Sequence, residues 1–143
     1  MGECPGERDP VLVKLHSIAV GATDTASALA SLAKQIRERS LKADFVFAFY
    51  GYAHDDRALH GFLRQSFPDA VLLGGTSCRG VMTDERFWDA DSIGLLLVED
   101  PDGDYGASGA EIGDDPAATA EATLLDALAN ADCSGELPEL IWV

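Results

Sequence analysis

Short apolar runs alternate with amphipathic segments along the first half of the chain. Residues 11–20, 44–50 and 70–75 are mainly apolar and short, as expected of buried strands. The two segments between them carry apolar residues at the spacing of an amphipathic helix: Leu29, Leu32, Ala33 and Ile36, then Leu59, Phe62, Leu63 and Phe67. Asp24 or Thr25 is the expected cap of the first helix, and Pro68 ends the second. This order predicts a β-α-β-α-β unit of parallel strands joined by crossover helices.

The second half of the chain does not continue this alternation of strands and helices. Residues 91–100 and 105–112 flank the turn PDGD, in which Asp102-Gly103 favours a hairpin of antiparallel strands. A third helix is predicted from Pro116, with Leu125 on its apolar face, and the final ELIWV reads as one more strand. The predicted fold class is therefore α/β with a mixed sheet: a parallel β-α-β-α-β start, an antiparallel hairpin, then a helix and a strand.

The chain organisation indicates one domain. Residues 1–10 are acidic and rich in Pro and Gly, so we expect a flexible N-terminus, and residues 11–143 form the domain. The apolar stretch ELIWV reaches the last residue without a cap or polar tail. We therefore expect the 143 residues to be an incomplete domain that continues beyond Val143.

Charge and cysteine content narrow the function classes. Asp and Glu number 25 against 10 Lys and Arg, giving a formal net charge of -15. Such a surface repels nucleic acid and anionic membranes, so we expect neither as a partner. The three cysteines are far apart and form no CxxC pair, which predicts no disulfide framework or zinc site and is consistent with the reducing cytoplasm. No apolar run approaches the roughly 20 residues of a membrane helix.

Three glycine-rich loops follow the three predicted parallel strands. In open α/β sheets, ligands bind beyond the carboxyl ends of such strands, so these loops predict a small-molecule pocket. Glycines allow close approach of backbone amides, and an arginine can bind a carboxylate through two bonds. The alternative is that the tyrosines only pack and the arginine pairs with a surface acid. The candidate ligand-binding residues are Thr23, Asp24, Tyr50, Tyr52, His54, Gly74, Gly75, Thr76, Ser77, Cys78 and Arg79.

Two other chemistries fit the loop at residues 74–80 less well. Gly75 and Gly80 have P-loop spacing, but Val81 and Met82 occupy the positions of the essential Lys and Ser or Thr. The sequence around Ser77 also departs from a nucleophile elbow, because the second glycine is one residue late. Cys78 beside Arg79 could be a reactive thiolate, although a cysteine at a strand end is more often a small buried side chain. We expect no catalytic residue and keep a Cys78-dependent enzyme as an alternative.

Taken in order, these segments resemble the N-terminal part of the FIST domain, a sensory module. The resemblance covers IAVGATDTASALASLAKQI, then DFVFAFYGYAHDDRALHGFLRQSFPDAVLLGGTSCRGVM, the strand DSIGLLLVED and the later helix. Its most specific part is the run at residues 71–81, in which Gly75, Thr76 and Ser77 match the family. The chain departs from the family where Cys78, Arg79 and Gly80 stand in place of a small residue, Gly and Glu. An acidic position is lost and a cation is gained, a change that favours an anionic ligand.

The resemblance implies a signal-input domain and not an enzyme. FIST domains occur alone or beside histidine kinases, chemoreceptors and cyclic-di-nucleotide output modules, so such an output protein is the implied partner. The implied ligand is an amino acid or another small carboxylate, bound without a cofactor. Some family members resemble haem-based gas sensors, so a haem-dependent nitric oxide sensor, with a histidine as the axial ligand, stays open as the alternative. The resemblance also implies that the domain extends beyond residue 143.

Overall fold

The structure of the protein is a computed structural model that describes residues 12–77 and 79–142. The predicted flexible N-terminus of residues 1–10, the candidate Cys78 and the terminal Val143 lie outside this part of the chain.

The helices and strands follow the order β1 (Lys14–Gly21), α1 (Thr25–Glu38), β2 (Phe45–Gly51), α2 (Asp56–Ser66), β3 (Val71–Ser77), β4 (Val81–Met82), β5 (Phe87–Trp88), β6 (Ser92–Glu99) and α3 (Pro116–Asn130). The first five confirm the β-α-β-α-β prediction. Asp24 caps α1 by accepting a 2.8 Å hydrogen bond from the amide of Ser27. α2 ends two residues before Pro68, which cannot continue a helix.

In the described part of the chain, four strands form a mixed sheet in the order β1-β6-β2-β3. β2 and β3 are parallel, whereas β6 is antiparallel to both β1 and β2. The predicted α/β fold class with a mixed sheet is therefore confirmed. β1, β2 and β3 run in the same direction, but β6 lies between β1 and β2, so the three predicted strands are not all neighbours.

The hairpin predicted around PDGD is wrong, and the position of β6 explains why. β6 pairs with β1 on one edge and β2 on the other, so no edge remains for residues 105–112. Those residues form no strand. The turn itself is present, with a 3.0 Å hydrogen bond from the amide of Gly103 to the carbonyl of Asp100. The small antiparallel hairpin of the structure is β4–β5, at residues 81–88.

The last predicted strand is also wrong within the described residues. Residues 139–142 pair with no strand, and the ring of Trp142 instead meets Phe47 edge-on, with the ring centroids 5.5 Å apart. The apolar character of this stretch is used in part for packing against the sheet face that α1 and α2 leave open.

The core lies between the sheet and the pair of helices α1 and α2. Leu32, Val46, Ile93 and Leu97 are fully buried there, and burial of each such side chain stabilises the fold by about 1.5–3 kcal/mol. α3 differs from the other helices, because none of its described side chains is buried and Leu125 is 57% exposed. The apolar face predicted for α3 therefore contributes little to this core.

Candidate functional site

A cleft of about 440 Å³ opens between α2, the carboxyl-terminal half of β2, the amino-terminal half of β3, and residues 107–109. Its floor is formed by Ala48, Tyr50, Leu72, Leu73 and Gly74. One wall is formed by Asp56, Leu59, His60 and Leu63 of α2, and the other by Ala107, Ser108 and Gly109. The volume is in the range of small-molecule sites, which is about 300–1,000 Å³.

The cleft changes from polar to apolar along the strands. Tyr50 pairs in register with Thr76 near the carboxyl ends of β2 and β3, whereas Leu72 pairs with Val46 four residues earlier. The upper end therefore carries Tyr50, with Asp56 and His60 on the neighbouring first turns of α2. The lower end carries the aliphatic side chains of Leu63 and Leu72. Such an arrangement suits a ligand with a polar head and an apolar tail.

The local sequence explains how α2 presents these groups. Asp55 caps the helix by accepting a 3.0 Å hydrogen bond from the amide of Ala58, which fixes where the first turn begins. Asp56 and His60 are four residues apart and so lie on one side of the helix. Leu59 and Leu63 are also four residues apart, and both are buried. The α2 wall of the cleft therefore has a polar side, with Asp56 and His60, and an apolar side, with Leu59 and Leu63.

Residues 107–109 are positioned by contacts made at Ala107 and just before it. The side-chain amide Nδ2 of Asn130, at the end of α3, donates a 2.9 Å hydrogen bond to the carbonyl of Ala107. Upstream, the hydroxyl of Tyr105 donates a 2.8 Å hydrogen bond to Asp100, and its ring packs on Phe45 with the centroids 5.3 Å apart. Burial, together with this hydrogen bond to Asp100, raises the pKa of Tyr105 to about 12.

Gly74 is required by the floor of the cleft. A Cβ atom at this position would overlap the carbonyl oxygen of Ala48 on β2. Gly75, the next residue, has open space where its Cβ would be. The first glycine of the pair is therefore explained by close strand approach, and nothing in the structure requires the second.

The loops after β1 and β2 meet at a different place. The hydroxyl of Thr25 lies 3.3 Å from Nδ1 of His54 and accepts a 2.9 Å hydrogen bond from the amide of Asp55. Asp24 is exposed, and the hydrogen bonds from Ser27 hold the pKa of its carboxyl below the usual value. Thr23 is exposed nearby. The predicted residues of the first loop thus begin α1, and Thr25 joins that helix to the second loop.

His54 is a buried polar residue in this junction. Its exposed fraction is 6%, and its Nε2 has no hydrogen-bond partner within residues 12–77 and 79–142. The Nε1 of Trp88 and the hydroxyl of Ser92 are also buried without a described partner. The His54 ring therefore supports the loop structure and does not line the cleft.

The end of β3 leads into the β4–β5 hairpin. The Ser77 hydroxyl is hydrogen-bonded to both the carbonyl and the amide of Gly80. Gly80 has a φ of 129°, and a Cβ there would overlap the carbonyl oxygen of Trp88. Thr76 and Arg79 are exposed, and Tyr52 is 80% exposed. Ser77 thus holds a turn, while Arg79 is not among the residues of the cleft.

The predicted site residues are therefore divided among three places. Tyr50 and Gly74 lie in the cleft. The other described candidates lie at or near the contact between Thr25 and His54, or at or near the turn that Ser77 forms with Gly80. Sequence reasoning missed Asp56, His60 and Ser108. The four-residue spacing of Asp56 and His60 beside a buried leucine stripe is a signal that could have identified the first two. Nothing local to Ser108 indicates its position.

The described residues include no group of three or more His, Cys, Asp or Glu side chains placed to hold a metal ion. Within the described ranges, His60 is the one histidine that lines the cleft. His16 lies on β1 at the opposite edge of the sheet, 3.9 Å from Glu99. An axial haem ligand from this part of the chain would therefore be His60.

Comparisons of the chain with protein-family models, with curated proteins and with solved structures find no match. The resemblance to the FIST domain therefore stays a prediction. Among the residues that the structure describes, no helix is both long and apolar enough to span a membrane.

Proposed function

We propose that the protein is a small-ligand sensory domain of the FIST type, which binds an amino acid or a related small molecule in the cleft beside α2. The observation that carries this proposal is the cleft itself, which lies over the middle of two parallel strands and extends to Tyr50, near the carboxyl end of β2. Ligands of open α/β folds bind beyond the carboxyl ends of the strands, and Tyr50 is the floor residue nearest to that end. A few polar groups at one end and aliphatic walls at the other are the usual composition of such a site.

The route from ligand to output passes through residues 107–109. A ligand in the cleft contacts α2 on one side and this segment on the other, and the segment is tied to α3 through Asn130. α3 has no buried side chain in the described structure, so little packing energy opposes a change in its position. Ligand binding can shift such an equilibrium if it favours one arrangement of these walls.

The biological setting follows from the same proposal. The domain acts in the cytoplasm, without catalysis and without a cofactor, and passes its signal to an output protein such as a histidine kinase or a chemoreceptor. Its net charge of -15 is consistent with a protein partner and disfavours nucleic acid.

The alternative function is haem-dependent sensing of nitric oxide or another gas, and one observation favours it. His60 lines a cleft whose floor is largely apolar and includes Ala48 and Leu72. A histidine nitrogen in such a slot could bind haem iron. The Cys78-dependent enzyme remains a prediction, because Cys78 lies outside the described residues.

A thermal-shift screen of the full chain tests both functions. The panel contains the amino acids, small dicarboxylates and haemin. A ligand at 100 times its Kd stabilises by about 2.7 kcal/mol, which raises the Tm of a domain of this size by several degrees. An amino-acid hit supports the proposed function, and a haemin hit with a Soret band that is lost in His60→Ala supports the alternative.

Two variants locate the binding. Asp56→Asn removes the carboxylate from the cleft, whereas Asp69→Asn removes an exposed carboxylate outside it. The proposal requires that ligand stabilisation changes in the first variant and is retained in the second. Equal stabilisation of both variants, or no stabilisation by any small molecule in the panel, overturns the assignment of the cleft as the ligand site.

A further inference from the structure

We infer that the cleft recognises a primary ammonium group attached to a short aliphatic tail, and that a carboxylate on the ligand is dispensable. This inference rests on the proposed function and specifies the ligand class of the same cleft. It differs from the expectation based on Arg79, which indicated an anionic ligand.

The charge of the cleft is the first observation. Asp56 is the one carboxylate that lines it within the described residues, and no lysine or arginine of that part of the chain lines it. Arg79, the cation expected to bind an anion, is exposed at the end of β3 and is absent from the lining. A carboxylate ligand would therefore meet Asp56 without a cation to balance it. An ammonium group would meet an opposite charge.

The hydrogen-bonding groups near Asp56 complete the polar end. Tyr50 and His60 line the same cleft, and a phenol hydroxyl and a neutral imidazole can each accept a hydrogen bond from an N–H donor. An ammonium has three donors and no acceptor, so a lining that offers acceptors suits it. Hydrogen bonds to charged groups contribute more than those between neutral groups.

The aliphatic end of the cleft determines which ligand tail fits. Leu63 and Leu72 lie toward the lower end of the cleft, and Tyr50 is four residues along β2 from the position paired with Leu72. Four residues of a strand span about 13 Å. This length accommodates an ammonium head and a branched tail of a few carbons, and the leucine side chains offer no polar partner to a polar tail.

The long-range electrostatic field of the protein also favours a cationic ligand. With a formal net charge of -15, the protein attracts cations to its surface and repels anions. A small amine therefore approaches more readily than a carboxylate of the same shape, and this preference weakens as salt is added.

Matched probes test the charged head group and the aliphatic tail of the ligand separately. Isothermal titration of the full chain uses leucine, 3-methylbutylamine and 4-methylpentanoate, which share one tail and differ in the charged groups. Asparagine is the fourth probe, because it is close to leucine in size but has a polar tail. We expect leucine and 3-methylbutylamine to bind, and 4-methylpentanoate and asparagine to bind at least about tenfold more weakly.

Variants assign the head group to Asp56. We expect Asp56→Asn to weaken the binding of leucine and 3-methylbutylamine by about tenfold to a hundredfold, the effect of losing a charged hydrogen bond. Asp69→Asn is the matched control and should leave both affinities unchanged. The Tm of each variant without ligand shows whether the fold is retained.

The outcomes distinguish this inference from the proposed function. If 4-methylpentanoate binds as well as leucine while the amine does not, the ammonium inference is overturned and the small-ligand function stands. If asparagine equals leucine, the aliphatic tail is overturned. If no amino acid, amine or carboxylate binds at all, the proposed function fails and this inference fails with it.

Discussion

The hydroxyl of Thr25 lies 3.3 Å from Nδ1 of His54, and the same oxygen accepts a 2.9 Å hydrogen bond from the amide of Asp55. One small side chain at the start of α1 therefore fixes the loop that begins α2. Because α2 forms a wall of the cleft, this contact connects the first helix of the chain to the geometry of the candidate site.

Replacement of Thr25 by valine tests this junction. Valine keeps the shape of the side chain but cannot accept the hydrogen bond from Asp55 or bond to the buried His54. We expect Thr25→Val to lower the free energy of unfolding by about 1–3 kcal/mol, whereas Thr25→Ser retains the hydroxyl and most of the stability. Urea denaturation measures both. Thr23→Val, at an exposed position, is the control, and an equal loss in that variant would contradict a specific role for Thr25.

The two glycines of β3 provide a paired prediction. In Gly74→Ala the new methyl group overlaps the carbonyl oxygen of Ala48, so β2 and β3 must separate. We expect a loss of roughly 2 kcal/mol or more. Gly75→Ala meets open space and should be neutral or stabilising by up to about 1 kcal/mol. Thermal unfolding of the two variants compares them directly, and similar Tm values would show that the strands are not in close contact at Gly74.

Tyr105 predicts a change in stability at alkaline pH. Burial and the hydrogen bond to Asp100 raise the pKa of Tyr105 to about 12, from a usual value of 10.0. The folded state therefore favours the neutral phenol. Its contribution is complete below pH 10 and is lost as the pH rises through about 12. Tyr105→Phe lacks this titration, so the stability difference between the native protein and the variant should decrease from pH 10 to 12.

Urea midpoints at several pH values measure this effect. Tyr52→Phe is the control, because Tyr52 is 80% exposed and makes no described side-chain hydrogen bond. A stability difference for Tyr105→Phe that stays constant across pH 10–12 would argue against a phenol held neutral by its surroundings.

The weak packing of α3 predicts fast amide exchange. Asp115 caps this helix by accepting hydrogen bonds of 3.1 Å from the amides of Ala117 and Ala118, but no described side chain of the helix is buried. We expect residues 116–130 to exchange with deuterium faster than α1. Asp115→Ala should speed that exchange by about fivefold, since an N-cap contributes about 1 kcal/mol. Asp24→Ala, which removes the cap of α1, should leave the exchange of α3 unchanged. Equal protection of α1 and α3 would contradict this interpretation.

The sequence predicted the elements whose signals are local. The strands and helices of residues 14–77 follow from apolar periodicity, and Asp24 and Pro68 mark helix ends by their own chemistry. The hairpin at PDGD could not be excluded locally, because it fails only through the insertion of β6 between β1 and β2. A turn signal indicates that the chain reverses, but it does not show whether a strand edge is free.

The candidate site was predicted only where a residue is placed by its own strand. Tyr50 and Gly74 lie on the floor of the cleft because β2 and β3 are neighbouring parallel strands, in which Gly74 pairs with Ala48 and Tyr50 lies two residues further along β2. Ser108 lies there because contacts with α3 and through Tyr105 hold its segment, and these contacts join distant parts of the chain. Ser77 and His54 were predicted to face a ligand, but the structure places their hydrogen bonds within the protein.

The place of β6 has a consequence for how the protein is made. The three other strands of the sheet are all contained in the first 77 residues, yet in the described structure β6 separates β1 from β2. During synthesis on the ribosome, β1 and β2 therefore emerge before residues 92–99, and their β6-facing edges have no strand partner until those residues follow. Closure of the sheet is a late, non-local event, the kind of step that slows folding and prolongs exposure of unpaired edges to aggregation.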